Sequence, residues 1–118
     1  MNRLRVLLVE DEGLVAMMLE DLIEDLGCEV AGSLASVSAA LAWIEAGGLA
    51  DVALLDVNLN GEHVFPVADA LKARGVPFAF ATGYDEAHDP RFRDAPLLGK
   101  PISQERLEAL LRSYGHSD

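Results

Sequence analysis

The stretch Val6–Glu12, VLLVEDE, runs four apolar residues straight into three consecutive carboxylates. An apolar run that short reads as a strand buried on both faces, with the acids standing where the chain leaves the core. Working outward, the pattern recurs. After Leu4–Val9 come the runs Glu29–Ser33, Val52–Leu55, Pro77–Ala81 and Leu97–Leu98, each separated from the next by helical periodicity. In the first interval Leu14, Val15, Met18, Leu19, Leu22, Ile23 and Leu26 form one apolar stripe, while Glu20, Asp21, Glu24 and Asp25 fall largely opposite it. Gly27 ends that helix in the left-handed position glycine fills cheaply; Gly47, Gly75 and Gly115 do the same after helices expected over 38–46, 62–74 and 103–114. Between Thr82 and Pro96 the fourth helix is expected to be short or irregular, because Pro90 interrupts a segment with few apolar residues. Alternating β and α predicts a doubly wound, five-stranded parallel sheet with helices on both faces. In such sheets ligands bind just outside the carboxyl ends of the strands.

The 118 residues fit one domain, expected to span 1–118. Hydrophobic residues make up 51% of the chain and the mean hydropathy is +0.20, which favours a compact fold over disorder. No apolar run approaches the roughly 20 residues of a membrane span. The N-terminus lacks a signal-peptide pattern, so no membrane association and a cytoplasmic location are expected. One cysteine, Cys28, excludes an internal disulfide and a cysteine metal cage, and reads as a buried small residue. His63, His88 and His116 are scattered and form no cluster. The net charge of -11, from 20 acids against 9 bases, opposes direct nucleic-acid binding, which needs a basic face. A protein or a cation is the expected partner.

The residues that close the runs carry the chemistry. Glu10 and Asp11 follow the first strand, Asp56 the third, Thr82 the fourth, and Lys100 with Pro101 the fifth. Three carboxylates about 4 to 5 Å apart would repel by roughly 3 to 4 kcal/mol per pair at an effective dielectric near 20. Lys100 offsets one charge. An all-oxygen set without His or Cys suits a hard divalent ion such as Mg²⁺, which offsets two more. Cation, lysine and hydroxyl then surround Asp56, a cage suited to a phosphoryl group passing to a carboxylate oxygen.

With the acid pair in VEDE, Asp in LLDVNL, Thr in FATGY and Lys in GKP, in that order and each at a strand end, the chain resembles the receiver domain of bacterial two-component response regulators over nearly its whole length. The resemblance implies the flavodoxin-like receiver fold, with Asp56 accepting phosphate from the histidine of a sensor histidine kinase. It also implies Mg²⁺ on Glu10, Asp11, Asp56 and the backbone carbonyl of Asn58, with Thr82 and Lys100 on the phosphoryl oxygens. A cis Lys100-Pro101 bond is implied as well. The FATGY run, Phe80–Tyr84, is similar to that of a subgroup of receivers, often free-standing, whose kinases tend to be of an atypical type.

Three features depart from the commonest receivers. Leu97 stands where an aromatic usually swings inward, Leu59-Asn60 replaces Met-Pro and is expected to free the loop after the acceptor, and the fourth helix is broken. Gly83, Tyr84, Leu97 and Pro101 are the candidate switch and output residues. Tyr84 could replace the missing aromatic as reporter or simply cover the site. Phosphorylation is expected to order the segment from Tyr84 to Leu97. A haloacid-dehalogenase-like phosphatase is disfavoured because Asp56 closes the third strand, without a DxD motif or chain for a cap domain. A flavin or nucleotide carrier would need a phosphate loop where the chain has EDEGL. The reading is a monomeric, stand-alone phosphoacceptor rather than an enzyme with separate turnover. It would act as a switch contacting a downstream protein, a phosphorelay step or a phosphate sink; the alternative is a receiver-like interaction module that works without phosphorylation.

Overall fold

A computed structural model of the chain describes residues 3–83 and 89–114. Strand β1 (Arg5–Val9) leads into helix α1 (Gly13–Asp25), followed by β2 (Glu29–Leu34), α2 (Val37–Glu45) and β3 (Val52–Asp56). A short hairpin of β4 (Asn58–Leu59) and β5 (Glu62–His63) precedes α3 (Phe65–Ala73) and β6 (Phe78–Thr82). One turn of 3-10 helix over Pro90–Phe92, strand β7 (Leu97–Gly99) and helix α4 (Gln104–Arg112) complete the described chain.

The main sheet has five strands in the order β2-β1-β3-β6-β7, all pairs parallel, as the alternation predicts. Because alternate side chains leave a strand on opposite faces, β1 feeds two cores. Leu7 and Val9 join Ala40, Ile44, Ala68 and Leu71 of α2 and α3. Val6 and Leu8 join Leu19, Ile23, Leu107 and Leu111 of α1 and α4 on the other face. Cys28 is buried in this second core. The chain reverses its winding direction between β1 and β3, and a crevice opens at their carboxyl ends.

Two expectations need correction. The third helix starts at Phe65, not Glu62, because Glu62 pairs with Leu59 across the hairpin and Pro66 sits in the helix's first turn. The stripe on α1 is wider than the surface that covers it: Leu14 is 72% exposed and Met18 63%, with Met17 exposed beside them. Periodicity tells which face of a helix is apolar, but not how much of that face a neighbour reaches. The fourth helical segment is irregular as expected, a single 3-10 turn among the described residues. Arg91 ties it to α3, 3.2 Å from Asp69, and to its own Asp89 at 2.8 Å. Phe92 packs among Phe65, Phe78 and Phe80.

Candidate functional site

Strand β1 delivers Glu10 and Asp11 to the crevice, and β3 ends on Asp56. The register Val9↔Leu55 places Glu10 and Asp56 side by side as the two strands finish. Carboxylate oxygens of Glu10, Asp11 and Asp56, one from each, all lie within 4.8 Å of one another. Glu10 and Asp56 are 3% exposed, the only charged side chains buried among the described residues. Lys100, at the end of β7, reaches across with its Nζ 3.0 Å from Asp56 Oδ2 and 3.9 Å from Glu10 Oε1.

Burial dominates the electrostatics. It pushes the Glu10 carboxyl up to about 7, the charge of Asp56 adding to the shift, while the Glu12 N–H and Lys100 pull the other way. Asp56 is also raised, by burial first, against the hydrogen bond and charge of Lys100. The cluster therefore holds a proton near neutrality. The physical cause is first the loss of water around both carboxylates, with the charge of Asp56 adding to it at Glu10.

Main-chain donors do much of the local holding. The Glu12 N–H donates to Glu10 Oε2 at 3.1 Å and the Asn58 N–H to Asp56 Oδ1 at 3.3 Å. Glu12, a plausible capping residue by charge, takes the N-cap position of α1, yet its side chain makes no capping hydrogen bond. Thr82 is half-buried at the end of β6, next along from the Ala81 that pairs with Asp56. Its hydroxyl donates to the carbonyl of Gly83 at 3.1 Å, and its own carbonyl accepts from the Lys100 N–H at 3.2 Å. So β6 and β7 lock the Thr82 and Lys100 positions together.

The structure thus brings Glu10, Asp11, Asp56 and Lys100 into one cluster, with Asn58 beside it and Thr82 on the neighbouring strand. The Lys100-Pro101 bond is cis, as expected. Leu97 lies apart, 46% exposed, on the wall of a cavity of about 210 Å³ with Val57, Phe65, Phe80 and Phe92. Tyr84 lies outside the described residues, as does the start of the segment expected to order on phosphorylation. The loop after Asp56 is not freed by Leu59-Asn60. Leu59 is buried, Asn58 Oδ1 accepts from the Gly61 N–H at 2.8 Å, and the Asn60 N–H donates to Asp11 Oδ2 at 3.0 Å.

That last contact is a site feature the residue pattern did not announce. A main-chain donor has no residue type, but Asn60-Gly61 between two short pairing segments is a strong hairpin signal.

A family model described as "Response regulator receiver domain" matches residues 6–112. The chain belongs to this family. It is therefore a receiver domain of two-component signalling. It is 32% identical over 110 residues to the phyllosphere-induced regulator PhyR of Methylorubrum extorquens, covering 90% of this receiver but only 41% of PhyR. The solution structure of SdrG from Sphingomonas melonis Fr1 is 48% identical, with a TM-score of 0.82 and coverage of 95% of this receiver and 96% of SdrG. The BeF3-activated conformation of SdrG from Pseudomonas melonis Fr1 is 47% identical with a TM-score of 0.78, covering 96% of this receiver and 98% of that chain. Among the described residues no helix is long and apolar enough to cross a membrane.

Proposed function

We propose that this receiver is a phosphoacceptor whose Asp56 takes a phosphoryl group from a sensor histidine kinase. The observation that carries this reading is the Lys100 ammonium 3.0 Å from the Asp56 carboxylate, within a buried acid cluster at the mouth of the sheet. An oxygen of Asp56 attacks phosphorus, the P–O bond forms as the P–N bond of the phosphohistidine breaks, and the electron pair returns to the imidazole nitrogen. Lys100 neutralises charge on the phosphoryl oxygens, and Thr82 turns its hydroxyl from the Gly83 carbonyl toward them. The donor set of three carboxylates fits a hard cation: Glu10, Asp11, Asp56 and the Asn58 carbonyl would hold Mg²⁺, which supplies further neutralisation of the transferring group.

The finer reading rests on sequence and on relatives. A receiver of stand-alone size is supported by the near-complete mutual coverage with SdrG, and the FATGY subgroup by Phe80–Tyr84 itself. Its kinase is then of an atypical kind. Its output is a protein contact, or a relay or sink step, in a cytoplasmic and monomeric molecule without separate substrate turnover. SdrG has a BeF3-activated conformation, which makes the same reagent a suitable phosphoryl mimic here.

Intact-protein mass after incubation with acetyl phosphate tests the reading. A gain of one phosphoryl group that requires Mg²⁺ and disappears in Asp56→Ala is expected. Absence of any gain with acetyl phosphate and with a cognate kinase would favour an interaction module that works unphosphorylated. Hydrogen exchange from 84 to 97 should slow with the BeF3 adduct; equal rates would sink the ordering of that segment.

A further inference from the structure

The acid cluster poses a mechanical problem. Glu10 and Asp56 are fixed by burial, but Asp11 is only half-buried and follows the strand out toward solvent. Its carboxylate nonetheless stands within 4.8 Å of oxygens of both buried acids. Something has to hold it, and the Asn60 N–H at 3.0 Å from Asp11 Oδ2 is the holder.

That donor is itself anchored independently of Asp11. Asn58↔His63 and Leu59↔Glu62 pair antiparallel, leaving Asn60-Gly61 as the two-residue loop. Both loop residues are left-handed, with φ of 53° and 89°, as a type I′ turn requires. Leu59 is 1% exposed and fastens the hairpin to the core. Asn58 Oδ1 on the Gly61 N–H at 2.8 Å closes the turn, and the Val64 N–H on the Val57 carbonyl at 2.9 Å closes its base. The turn is therefore shaped by its own residues and presents one main-chain donor to the acid.

We propose that the Asn60-Gly61 turn positions Asp11 for the cation, by occupying one carboxylate oxygen and leaving the other to bind. The inference rests on the cation reading above. Asn60 is a positioning residue acting through its backbone, so what matters is its tolerance of a left-handed φ. Asparagine and glycine meet that demand; a β-branched residue does not. The two-residue turn also takes the place of the stiffening that a proline would give this loop.

The test is a Mg²⁺ titration of the full chain followed by amide NMR. Asn60→Val should weaken Mg²⁺ binding about tenfold, as a strained turn withdraws the donor. Asn60→Gly should bind within about twofold of wild type. Should Asn60→Val fail to fold, Asn58→Ala serves, since it removes the side-chain clip on Gly61 but keeps the Asn58 carbonyl; about threefold weaker binding is expected. Gly47→Ala, at a φ of +92° in the turn after α2, is the control for general loosening: lower Tm with unchanged Mg²⁺ affinity. Without any cation, Asp11→Ala should speed exchange of the Asn60 amide. Wild-type affinity in the folded turn variants, equal weakening by Gly47→Ala, or an unmoved Asn60 amide would each overturn the clip. No Mg²⁺ binding by wild type would overturn the cation reading and the clip with it.

Discussion

Asp56 is a buried carboxylate whose place in the fold is not explained by stability. It gains from Lys100 at 3.0 Å, yet burial still raises its pKa, so the ammonium does not repay the loss of water. Replacing it by asparagine keeps the shape, removes one charge from the acid cluster and leaves Lys100 beside Glu10. We predict that Asp56→Asn melts higher than wild type in Mg²⁺-free buffer, by about 4 °C for each kcal/mol of relieved repulsion, with on the order of 1 kcal/mol expected. Calorimetry checks it; an unchanged or lower Tm would mean that the Lys100 pair outweighs the crowding. At this scale the sequence was informative where a residue's type is its function. That Glu10, Asp56 and Lys100 come together was legible because each is a charge at the carboxyl end of a strand of one parallel sheet. Asn60 was not, because its contribution is a backbone N–H that any residue but proline owns.

At the scale of elements, α1 carries the most informative departure. Leu14, Met17 and Met18 are exposed, and Met18 lines a groove of about 360 Å³ with Val15, Leu19, Pro101 and Ile102. Glu10 and Lys100 line the same groove, so a protein that brings a phosphoryl group to Asp56 must pass over it. We predict that this apolar face seats the phosphodonor protein. Met18→Asp should slow transfer from the kinase about tenfold while leaving labelling by acetyl phosphate within about twofold, since a small donor needs no docking face. Equal loss with both donors would place the damage in the acceptor site instead. The folding effect should be small, about 0.5 kcal/mol or less, because Met18 is largely solvated. The five-stranded parallel sheet and its flanking helices followed from the β–α alternation, because each apolar run and each glycine stop is a local signal; the strand order is a finding of the structure. The hairpin was legible in Asn60-Gly61 and the late start of α3 in Pro66, but both were outweighed by a helical period that continues through Glu62.

Across the whole molecule, the acid cluster couples folding to pH and, on the proposed cation reading, to metal. Glu10 has an ordinary value of 4.5 and is held at about 7 in the folded state, chiefly by burial. The sign follows directly: between those values the folded protein binds more protons than the unfolded chain, so stability falls as pH rises. The contribution is complete below about 4.5 and lost by about 7, and it is on the order of 3 kcal/mol. Asp51, held below the usual carboxylate range by Arg5, works in the opposite direction and in more acid solution, where its protonation costs stability. The two windows leave a maximum on the acid side of neutrality for the cation-free protein. A cation competes with the proton for the same oxygens, so Mg²⁺ affinity should rise with pH through the Glu10 window, and saturating Mg²⁺ should move the maximum toward neutral pH. The measurement is Tm from pH 5 to 8.5 with EDTA and with Mg²⁺. Curves that diverge as pH rises are expected. Parallel curves would mean that the cation binds without displacing the cluster's proton, and Glu10 would then not be among its ligands.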